Sequence, residues 1–360
     1  MTSPLRTLVH VFATFGAGGP QVRAVQLMAQ LGPTFRHVVM AMDGHDEARD
    51  QLPAGHGVEF VAAPARGGLL ATVRRQRRWL AACKPDLVLT YNWGAIESVL
   101  AARSLRLPLV HHEDGFLPDE ATRRLRRRNW LRAWALRAVP VIVPSLVLRD
   151  IAAREWALPA QNIHHLPNGV DLRRFAPAAA EPHLVGTVGG LRPEKDHATL
   201  LRAFATLPAP TRLQLVGGGP LDGELRALAA TLGIGPRVEF TGPVTDTAPF
   251  YPRLAAFVLS SRTEQMPIAM LEAMACGCPV VATAVGDVRT ILPEIGQPFV
   301  VPREDPHALA AALRTVLADA PLRAKLGAAN RQRVEERYEA RTCLGRFTSV
   351  YAAAMQKLPN

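Results

Sequence analysis

Short apolar runs alternate with longer stretches of helical periodicity along the 360-residue chain. In the first half the apolar runs predict strands at Thr7–Phe12, His37–Met42, Val58–Val61, Leu87–Thr90, Leu109–His112 and Val141–Val143. The helical stretches between them are Gln21–Leu31, Leu69–Ala82, Ala95–Leu105 and Glu120–Arg137. Uninterrupted apolar strands that each precede a helix predict a parallel sheet with helices on both faces.

The second half repeats this alternation. Its strands are predicted at Leu184–Val188, Arg212–Val216, Val238–Thr241, Phe257–Leu259, Val280–Ala282 and Phe299–Val301. Its helices are predicted at His197–Thr206, Leu221–Leu232, Pro267–Ala275 and Pro306–Leu317. The sequence therefore predicts an α/β protein of two doubly wound, Rossmann-like domains. The seam is expected in Phe175–Pro182, which is rich in alanine and proline. Ligands of such domains bind beyond the carboxyl ends of the strands.

Composition and charge narrow the class of protein. Hydrophobic residues make up 48% and charged residues 20%, which is typical of a globular protein. The net charge is +11, and residues 1–177 carry most of it, with 23 basic against 14 acidic side chains. This asymmetry suggests a polyanion or an anionic membrane surface as a neighbour of the first half.

The cysteines and the chain start favour a reducing compartment. The four cysteines form no disulfide framework, and Cys276 and Cys278 are too close together for half of a zinc site. The N-terminal residues are expected to form a strand rather than a secretion signal. The sequence has no run of about 18 apolar residues, so we expect no membrane span.

A glycine-rich turn, Gly16-Ala17-Gly18-Gly19-Pro20, follows the first predicted strand. Glycines permit close approach of the backbone to a phosphate or sugar, and a helix N-terminus favours negative charge. An ordinary turn with proline in the first helical turn explains the same residues. The pattern is not the dinucleotide fingerprint, so NAD binding is not expected.

The most informative segment runs from Ser260 to Gly277 and reads SSRTEQMPIAMLEAMACG. Glu264 precedes the predicted helix, and Glu272 lies within it among apolar residues. The amides at Met266–Ile268 could hold a diphosphate at the helix start. Glu264 as a simple cap and Glu272 as a solvated side chain are the alternative, but a carboxylate in apolar surroundings needs a partner.

This segment resembles the Glu-x7-Glu signature of the family 4 retaining glycosyltransferases, which have the GT-B fold. Three further motifs agree in order: Leu166–Asp171 with Phe175 resembles the interdomain motif, Gly189–Lys195 the donor loop, and Val216–Pro220 with Val238–Gly242 the base pocket. The resemblance implies two Rossmann-like domains facing across a cleft. Residues 1–175 would bind the acceptor, residues 183–340 would bind the nucleotide sugar, and residues 341–360 would form a helix that crosses back to the first domain.

The resemblance also implies roles for individual residues. Glu272 would accept the ribose hydroxyls, Glu264 would contact the transferred sugar, and Lys195 would neutralise the diphosphate. The family's usual arginine five residues before that lysine is Gly190 here, and Arg192 is close enough to replace it. The remaining expected donor contacts are Gly18, Gly19, Gly190, Gly218, Val244, Met266, Pro267 and Ile268.

A polar run, His111-His112-Glu113-Asp114, ends the fifth predicted strand. Asp114 stands where the family has a histidine beside the donor sugar and acceptor, so Asp114 and His112 are the expected catalytic pair. Neighbouring strand residues point to opposite faces, so the four cannot share one metal ion, and no metal or other cofactor is expected. A solvated strand end is the alternative.

The expected reaction is retaining transfer of a sugar from a nucleotide-diphosphate sugar, with UDP the most common nucleotide of the family, to a hydroxyl. The acceptor would be a lipid, a lipid-linked molecule or a saccharide in cell-envelope synthesis. The alternatives are a soluble acceptor, a GT-B epimerase or phosphorylase, and a basic nucleic-acid-binding protein. The sequence shows no aromatic RNA platform or helix-turn-helix, so no nucleic-acid partner is expected.

Two arginine clusters beside tryptophans favour a membrane neighbour. They are Arg74, Arg75, Arg77 and Arg78 with Trp79 and Leu80, and Arg123, Arg124, Arg126, Arg127 and Arg128 with Trp130, Leu131 and Trp134. Arginine and tryptophan together suit the headgroup region of an anionic bilayer. We expect a cytoplasmic protein, peripheral on the inner face of the cytoplasmic membrane, unless the clusters are simply a solvated face.

Overall fold

The computed structural model describes residues 5–16, 18–52, 57–115 and 125–356. It divides the chain into two units. Unit 1 comprises the residues up to Pro167 and those from Arg341 onwards, and unit 2 comprises Asn168–Ala340.

Unit 1 is built on a parallel sheet of seven strands in the order β3-β2-β1-β4-β5-β6-β7. The strands are β1 Arg6–Phe12, β2 Phe35–Ala41, β3 Val58–Ala62, β4 Leu87–Tyr91, β5 Leu109–His112, β6 Val141–Val143 and β7 Ile163–His165. The helices that follow them are α1 Gly19–Leu31, α2 Leu69–Cys83, α3 Ile96–Ser104, α4 Arg126–Leu136 and α5 Leu146–Arg154. The strand order reverses between β1 and β4, so the carboxyl ends of these strands flank a crevice.

Unit 2 has a parallel sheet of six strands in the order β10-β9-β8-β11-β12-β13. The strands are β8 Glu181–Val188, β9 Arg212–Val216, β10 Val238–Phe240, β11 Leu254–Leu259, β12 Val280–Thr283 and β13 Val300–Val301. The helices are α6 His197–Ala205, α7 Asp222–Thr231, α8 Ile268–Ala275, α9 Val288–Ile291, α10 Pro306–Ala318 and α11 Ala320–Arg337. Here the order reverses between β8 and β11, which are followed by the segment Gly189–Lys195 and by the Glu-x7-Glu segment.

The last helix, α12, spans Ala340–Gln356. Its buried side chains recur at helical spacing, and four of them are Cys343, Phe347, Tyr351 and Ala354. The Phe347 ring stacks on His112 of β5 with ring centroids 5.9 Å apart, so α12 covers the sheet of unit 1.

The predicted fold class, two doubly wound parallel-sheet domains, is confirmed. The predicted seam at Phe175–Pro182 and the predicted domain end at residue 175 lie later than the observed division after Pro167. The segment after Pro167 belongs to unit 2 because the Val170 N–H donates to the Tyr338 carbonyl oxygen at 2.8 Å. The Phe175 ring also packs edge-on against Tyr251.

Several elements were not predicted from the sequence. Strand β7 has one apolar residue among three, and α11 is rich in charge, so neither stands out as an apolar run or stripe. The short helices α5 and α9 were also missed. The helix predicted at Glu120–Arg137 begins at Arg126, and residues 120–124 lie outside the described residues.

Candidate active site

The loops after β8 and β9 are rich in glycine because their backbones lie in direct contact. A Cβ atom added to Gly217 would lie 2.2 Å from the carbonyl oxygen of Gly189, and one added to Gly219 would lie 2.5 Å from that of Leu191. The Leu191 N–H donates to the Gly218 carbonyl oxygen at 3.0 Å. Side chains are excluded from these two positions because the backbone of the neighbouring loop already fills the space.

Gly190 stands where the family has an arginine, and the side chain of Arg192 lies beside it. A Cβ atom added to Gly190 would lie 3.1 Å from Nε of Arg192. The Arg192 carbonyl oxygen accepts a hydrogen bond from the Lys195 N–H at 3.0 Å, and Arg192 is exposed. Arg192 and Lys195 therefore present their two cations from one short turn.

Lys195 and Glu264 form an ion pair between the loops after β8 and β11. Nζ of Lys195 lies 2.5 Å from Oε1 of Glu264, and their side chains are 28% and 12% exposed. The Ser261 hydroxyl donates to the same Oε1 at 2.8 Å, and the Ser260 hydroxyl donates to the Lys195 carbonyl oxygen at 2.9 Å. These bonds hold a cation and a carboxylate together at the strand reversal of unit 2.

The residues before α8 are held in place by Asn168. Its side-chain amide donates to the Met266 carbonyl oxygen at 2.9 Å, and its backbone N–H points to the Met266 sulfur at 3.1 Å. Asn168 belongs to the motif Leu166–Asp171, but this contact with Met266 was not identified from the sequence. Pro267 caps α8 with no side-chain hydrogen bond. Because proline has no N–H, the first amides of the helix start belong to Ile268 and Ala269, which corrects the expected set Met266–Ile268.

The loop after β12 packs against the same segment. Gly286 has a φ of +47°, and a Cβ atom there would lie 2.3 Å from the Glu264 carbonyl oxygen. The Asp287 N–H donates to the Gln265 carbonyl oxygen at 3.0 Å. The position of Glu264 therefore depends on a glycine 22 residues later in the sequence.

Glu272 is buried in α8, and its partner is Tyr251. The Tyr251 hydroxyl donates to Oε2 of Glu272, so the expected partner of this carboxylate exists but was not identified from the sequence. Burial raises the pKa of Glu272 to about 7, while the hydrogen bond from Tyr251 and the charge of Arg174 oppose that rise.

Gly218 and Val244 lie on the neighbouring pair of loops. A Cβ atom on Gly218 would meet the Pro243 ring at 2.9 Å, and Gly217 bridges to Gly242. Val244 is half-buried and packs against the hydrophobic cluster that includes Met266. The expected donor contacts of the second half thus all lie on the loops and the helix start that follow β8 to β11.

The other two expected donor contacts, Gly18 and Gly19, lie in unit 1. Gly18 caps α1 without a side-chain hydrogen bond, and Gly19 is the first residue of that helix. A Cβ atom on Gly18 would meet only the flexible end of Gln21. Ala17 of the same motif lies outside the described residues, so anion binding at this helix start stays a prediction.

Asp114, just after β5, is paired with Arg23 of α1. Both terminal guanidinium nitrogens of Arg23 donate to the Asp114 carboxylate: Nη2 donates to Oδ2 at 2.8 Å, and Nη1 donates to Oδ1 in a shorter bond. The side chains are 1% and 7% exposed, and the Asp114 N–H donates to the Asn92 side chain at 2.6 Å. The sequence did not predict Arg23, because a cation inside an amphipathic helix gives no pattern of its own.

His112 lies deeper on the same face. Its Nε2 is 2.9 Å from the Tyr351 hydroxyl, and its Nδ1 is 3.5 Å from Nη2 of Arg23. Burial and the Arg23 charge hold the pKa of His112 well below its usual value, so the ring is neutral. His112 was expected to line an open cleft, and this expectation was wrong. The ring is buried, and its two nitrogens face the Tyr351 hydroxyl and the Arg23 guanidinium.

The other two residues of the polar run, His111 and Glu113, face the other side of the sheet. Glu113 is buried, and its Oε2 lies 3.4 Å from Nε of Arg132 and 3.5 Å from Nε2 of His111. The alternation expected for a strand therefore separates the run into two clusters. Among the described residues, no group of three or more His, Cys, Asp or Glu side chains is placed to hold a metal ion.

Two family models match the chain over most of its length. The model described as glycosyltransferase family 4 matches residues 17–174, and the model described as glycosyl transferases group 1 matches residues 182–319. The chain belongs to these glycosyltransferases. The resemblance of the four motifs is thereby confirmed.

Curated relatives of this glycosyltransferase carry related names. The chain is 27% identical to a D-inositol 3-phosphate glycosyltransferase of Xylanimonas cellulosilytica, over 83% of this chain and 78% of that protein. It is 32% identical to a GDP-mannose-dependent alpha-(1-6)-phosphatidylinositol monomannoside mannosyltransferase of Mycolicibacterium smegmatis, over 51% of this chain and 54% of that protein. The second match thus spans about half of that relative's length.

Solved structures show the same fold. Anabaena HepE in complex with UDP and glucose superposes with a TM-score of 0.84 at 19% identity, covering 97% of this chain and all of HepE. The glycosyltransferase therefore has the GT-B fold, built from the two Rossmann-like units described above.

The described arginines of the two clusters lie on helices α2 and α4 of the glycosyltransferase, which both pack against α3. Arg74, Arg75, Arg77 and Arg78 are exposed on α2, as are Arg126 and Arg127 on α4. The exposed apolar side chains beside them include Leu70, Trp130 and Trp134, which are 72%, 68% and 54% exposed. This row of helices combines cations with large apolar groups.

Some members expected in these clusters face inward instead. Leu80 is fully buried, and Trp79 packs against the core of unit 1. Arg128 lies over the Trp93 ring at 5.6 Å, and Arg123 and Arg124 lie outside the described residues. In the part of the chain that the structure describes, no helix is long and apolar enough to cross a bilayer.

Proposed function

We propose that this glycosyltransferase moves a sugar, with retention of anomeric configuration, from a nucleotide-diphosphate sugar to a hydroxyl group. The observation that carries the proposal is the cluster at the strand reversal of unit 2. There a lysine is paired with Glu264, the start of helix α8 has no side-chain cap hydrogen bond, and a buried carboxylate follows within that helix.

Each part of this cluster suits one part of the donor. The Lys195 ammonium, with Arg192 beside it, would neutralise the diphosphate as the leaving group gains charge. The amides of Ile268 and Ala269 would also face the diphosphate, because a helix N-terminus stabilises anions. Glu272 would accept hydrogen bonds from the ribose, and Glu264 would bind hydroxyls of the transferred sugar.

In the proposed step the bond between the anomeric carbon and the diphosphate oxygen breaks on the face where the acceptor attacks. The acceptor oxygen forms the new bond to the anomeric carbon, and its proton passes to the departing phosphate oxygen. The protein contributes orientation and charge stabilisation. We propose that Asp114, held by Arg23, is a catalytic residue and that His112 positions Arg23 from the interior of unit 1.

We propose UDP as the donor nucleotide, since HepE binds UDP and glucose. The Mycolicibacterium relative is named for GDP-mannose, which makes GDP the other candidate. The acceptor is proposed to be a lipid, a lipid-linked molecule or a saccharide of the cell envelope. The exposed arginines of α2 and α4 and the exposed tryptophans of α4 support a lipid surface as a neighbour. The protein would then be cytoplasmic and peripheral on the inner face of the membrane.

Proton NMR of the slow hydrolysis of UDP-glucose, with water as the acceptor, tests the proposed reaction. We expect UDP to be released and α-glucose to appear first, before mutarotation produces the β-anomer. β-Glucose as the first product would contradict retention. If none of the UDP- or GDP-sugars is hydrolysed or transferred, the proposed donor class is wrong.

A further inference from the structure

Tyr251 contacts Glu272 through a hydrogen bond, and its ring is held in place by two aromatic neighbours. Tyr251 begins the 3-10 turn Tyr251–Arg253 that precedes β11, and it is fully buried. Its hydroxyl donates to Oε2 of Glu272, and its ring packs against Phe175 and Phe257. A ring fixed on two sides holds its hydroxyl at one place.

Only one oxygen of the Glu272 carboxylate is used in this contact. A phenol has a single hydrogen to donate, and it goes to Oε2. Among the described residues, Oε1 receives no hydrogen bond. Glu272 as a whole residue is 9% exposed.

We propose that Tyr251 is a positioning residue for donor binding, which fixes the Glu272 carboxylate through Oε2 and leaves Oε1 to accept hydrogen bonds from the ribose of a nucleotide. This inference rests on the proposed function, since it assigns the ribose to Glu272. It adds a residue outside the Glu-x7-Glu segment to the donor site.

The charges around Glu272 give the proposal a measurable signature. Burial raises the pKa of Glu272 to about 7, and the Tyr251 hydrogen bond and Arg174 lower it while Asp246 raises it. Arg174 and Asp246 are themselves paired at 2.8 Å and are both exposed. Burial first, and then the Glu272 charge, raise the pKa of Cys276 to about 12, so this neighbour stays neutral below pH 9.

The ionisation of the Glu272 carboxylate determines the direction in which nucleotide affinity changes with pH. Only the ionised form offers a full negative charge to the ribose hydroxyls, so nucleotide affinity should fall as the pH drops through the pKa of Glu272. Removing the Tyr251 hydroxyl removes a bond that favours the ionised form. The midpoint should therefore move to higher pH in Tyr251→Phe. Removing the charge of Asp246 should move it to lower pH.

The experiment measures the dissociation constant of UDP, or of GDP if that nucleotide binds more tightly, by calorimetry from pH 5.5 to 9. Glu272→Gln supplies the baseline, because the phosphate ionisation of the nucleotide remains in that variant while the carboxyl titration is lost. Tyr338→Phe is the matched control, since it removes the other tyrosine hydroxyl of unit 2 and keeps the Tyr251–Glu272 bond.

For the wild type, relative to the baseline, we expect affinity to fall by about tenfold per pH unit below the midpoint. In Tyr251→Phe the midpoint should rise, so affinity is reduced severalfold at pH 7 and returns to within about twofold of wild type at pH 9. In Asp246→Asn the midpoint should fall. Tyr338→Phe should match the wild type.

A pH-independent loss of affinity in Tyr251→Phe would mean that the tyrosine only packs, and the proposal would be wrong. An unchanged profile in that variant would overturn it as well. Failure of the proposed function is a separate result, since the wild-type protein would then bind neither nucleotide at any pH.

Discussion

At the scale of single residues, Lys195 is the charge on which the proposed donor site should depend most. We expect Lys195→Ala to lower kcat/KM for the nucleotide sugar by about 100- to 1000-fold, because a fixed cation at the leaving group is lost. Lys195→Arg should cost less, since the charge remains although its geometry changes. Release of the nucleoside diphosphate measures both.

Lys325→Ala is the control for that comparison, because it removes an exposed lysine on α11 of the same unit. Arg192→Ala shows whether Arg192 replaces the arginine missing at Gly190: a loss of tenfold or more supports that role, and a silent variant contradicts it. Wild-type turnover in Lys195→Ala would refute the leaving-group role.

Alanine variants of Glu264 and Glu272 should differ in whether they affect nucleotide binding or sugar transfer. We expect Glu272→Ala to weaken nucleotide affinity, because it removes the carboxylate proposed to bind the ribose. Glu264→Ala should mainly lower kcat for the nucleotide sugar, because its proposed contact is the transferred sugar. Calorimetry and steady-state rates of the two variants decide this. Wild-type affinity and activity in both variants would reduce the two carboxylates to structural roles.

The charged residues Lys195, Glu264 and Glu272 could be identified from the sequence, but the hydrogen-bond partners that position the site residues could not. A carboxylate among apolar neighbours predicts that a partner exists, yet Tyr251 lies 21 positions from Glu272 and Asn168 lies 98 positions from Met266. Arg23 and Asp114 are 91 positions apart. Such pairs form only when the sheet brings separate loops together, so periodicity within one element does not reveal them.

At the scale of elements, the loop after β12 should control the position of Glu264. We expect Gly286→Ala to reduce transfer by tenfold or more, because a Cβ atom there would lie 2.3 Å from the Glu264 carbonyl oxygen at a positive φ. Steady-state rates and thermal unfolding check this.

Gly223→Ala is the matched control on α7, where an added Cβ atom meets nothing within 4 Å. It should leave transfer unchanged and raise the free energy of unfolding by about 0.4–1 kcal/mol, because alanine leaves the unfolded chain fewer conformations than glycine does. A normal rate in Gly286→Ala would show that Glu264 does not depend on this loop.

The elements themselves could largely be predicted from the sequence. Buried parallel strands such as β4 and β11 are continuous apolar runs, and α10 carries a clear apolar stripe. Strand β7 was missed because two of its three residues, His164 and His165, are polar and form no apolar run. Helix α11 was missed because its few buried residues lie among many charged side chains and form no clear apolar stripe. Elements that bury little surface leave little trace in the sequence.

At the scale of the whole molecule, the positive charge of the first half predicts binding to an anionic surface. We expect the protein to co-sediment with vesicles that contain anionic lipid and not with neutral vesicles at low salt. Each basic side chain near such a surface contributes about 1 kcal/mol, so replacing Arg126 and Arg127 by glutamine should weaken binding by about 30-fold. Added salt should weaken the binding of the wild type.

Arg202→Gln with Lys325→Gln removes the same charge from exposed positions of unit 2 and is the matched control. It should retain vesicle binding. Equal losses in both double variants would mean that net charge, and not the surface of α2 and α4, determines the binding. Absence of binding to anionic vesicles at low salt would contradict the membrane proposal and favour a soluble acceptor.

The central claim, that unit 2 binds the nucleotide part of the donor, is tested most directly by thermal unfolding of the wild-type protein with UDP, GDP and ADP. At 100 times its dissociation constant, the correct nucleoside diphosphate should stabilise the protein by about 2.7 kcal/mol. That stabilisation should fall in Lys195→Ala and remain in Lys325→Ala. If none of the three nucleotides changes the melting temperature, the assignment of Lys195, Glu264 and Glu272 to a donor site is contradicted.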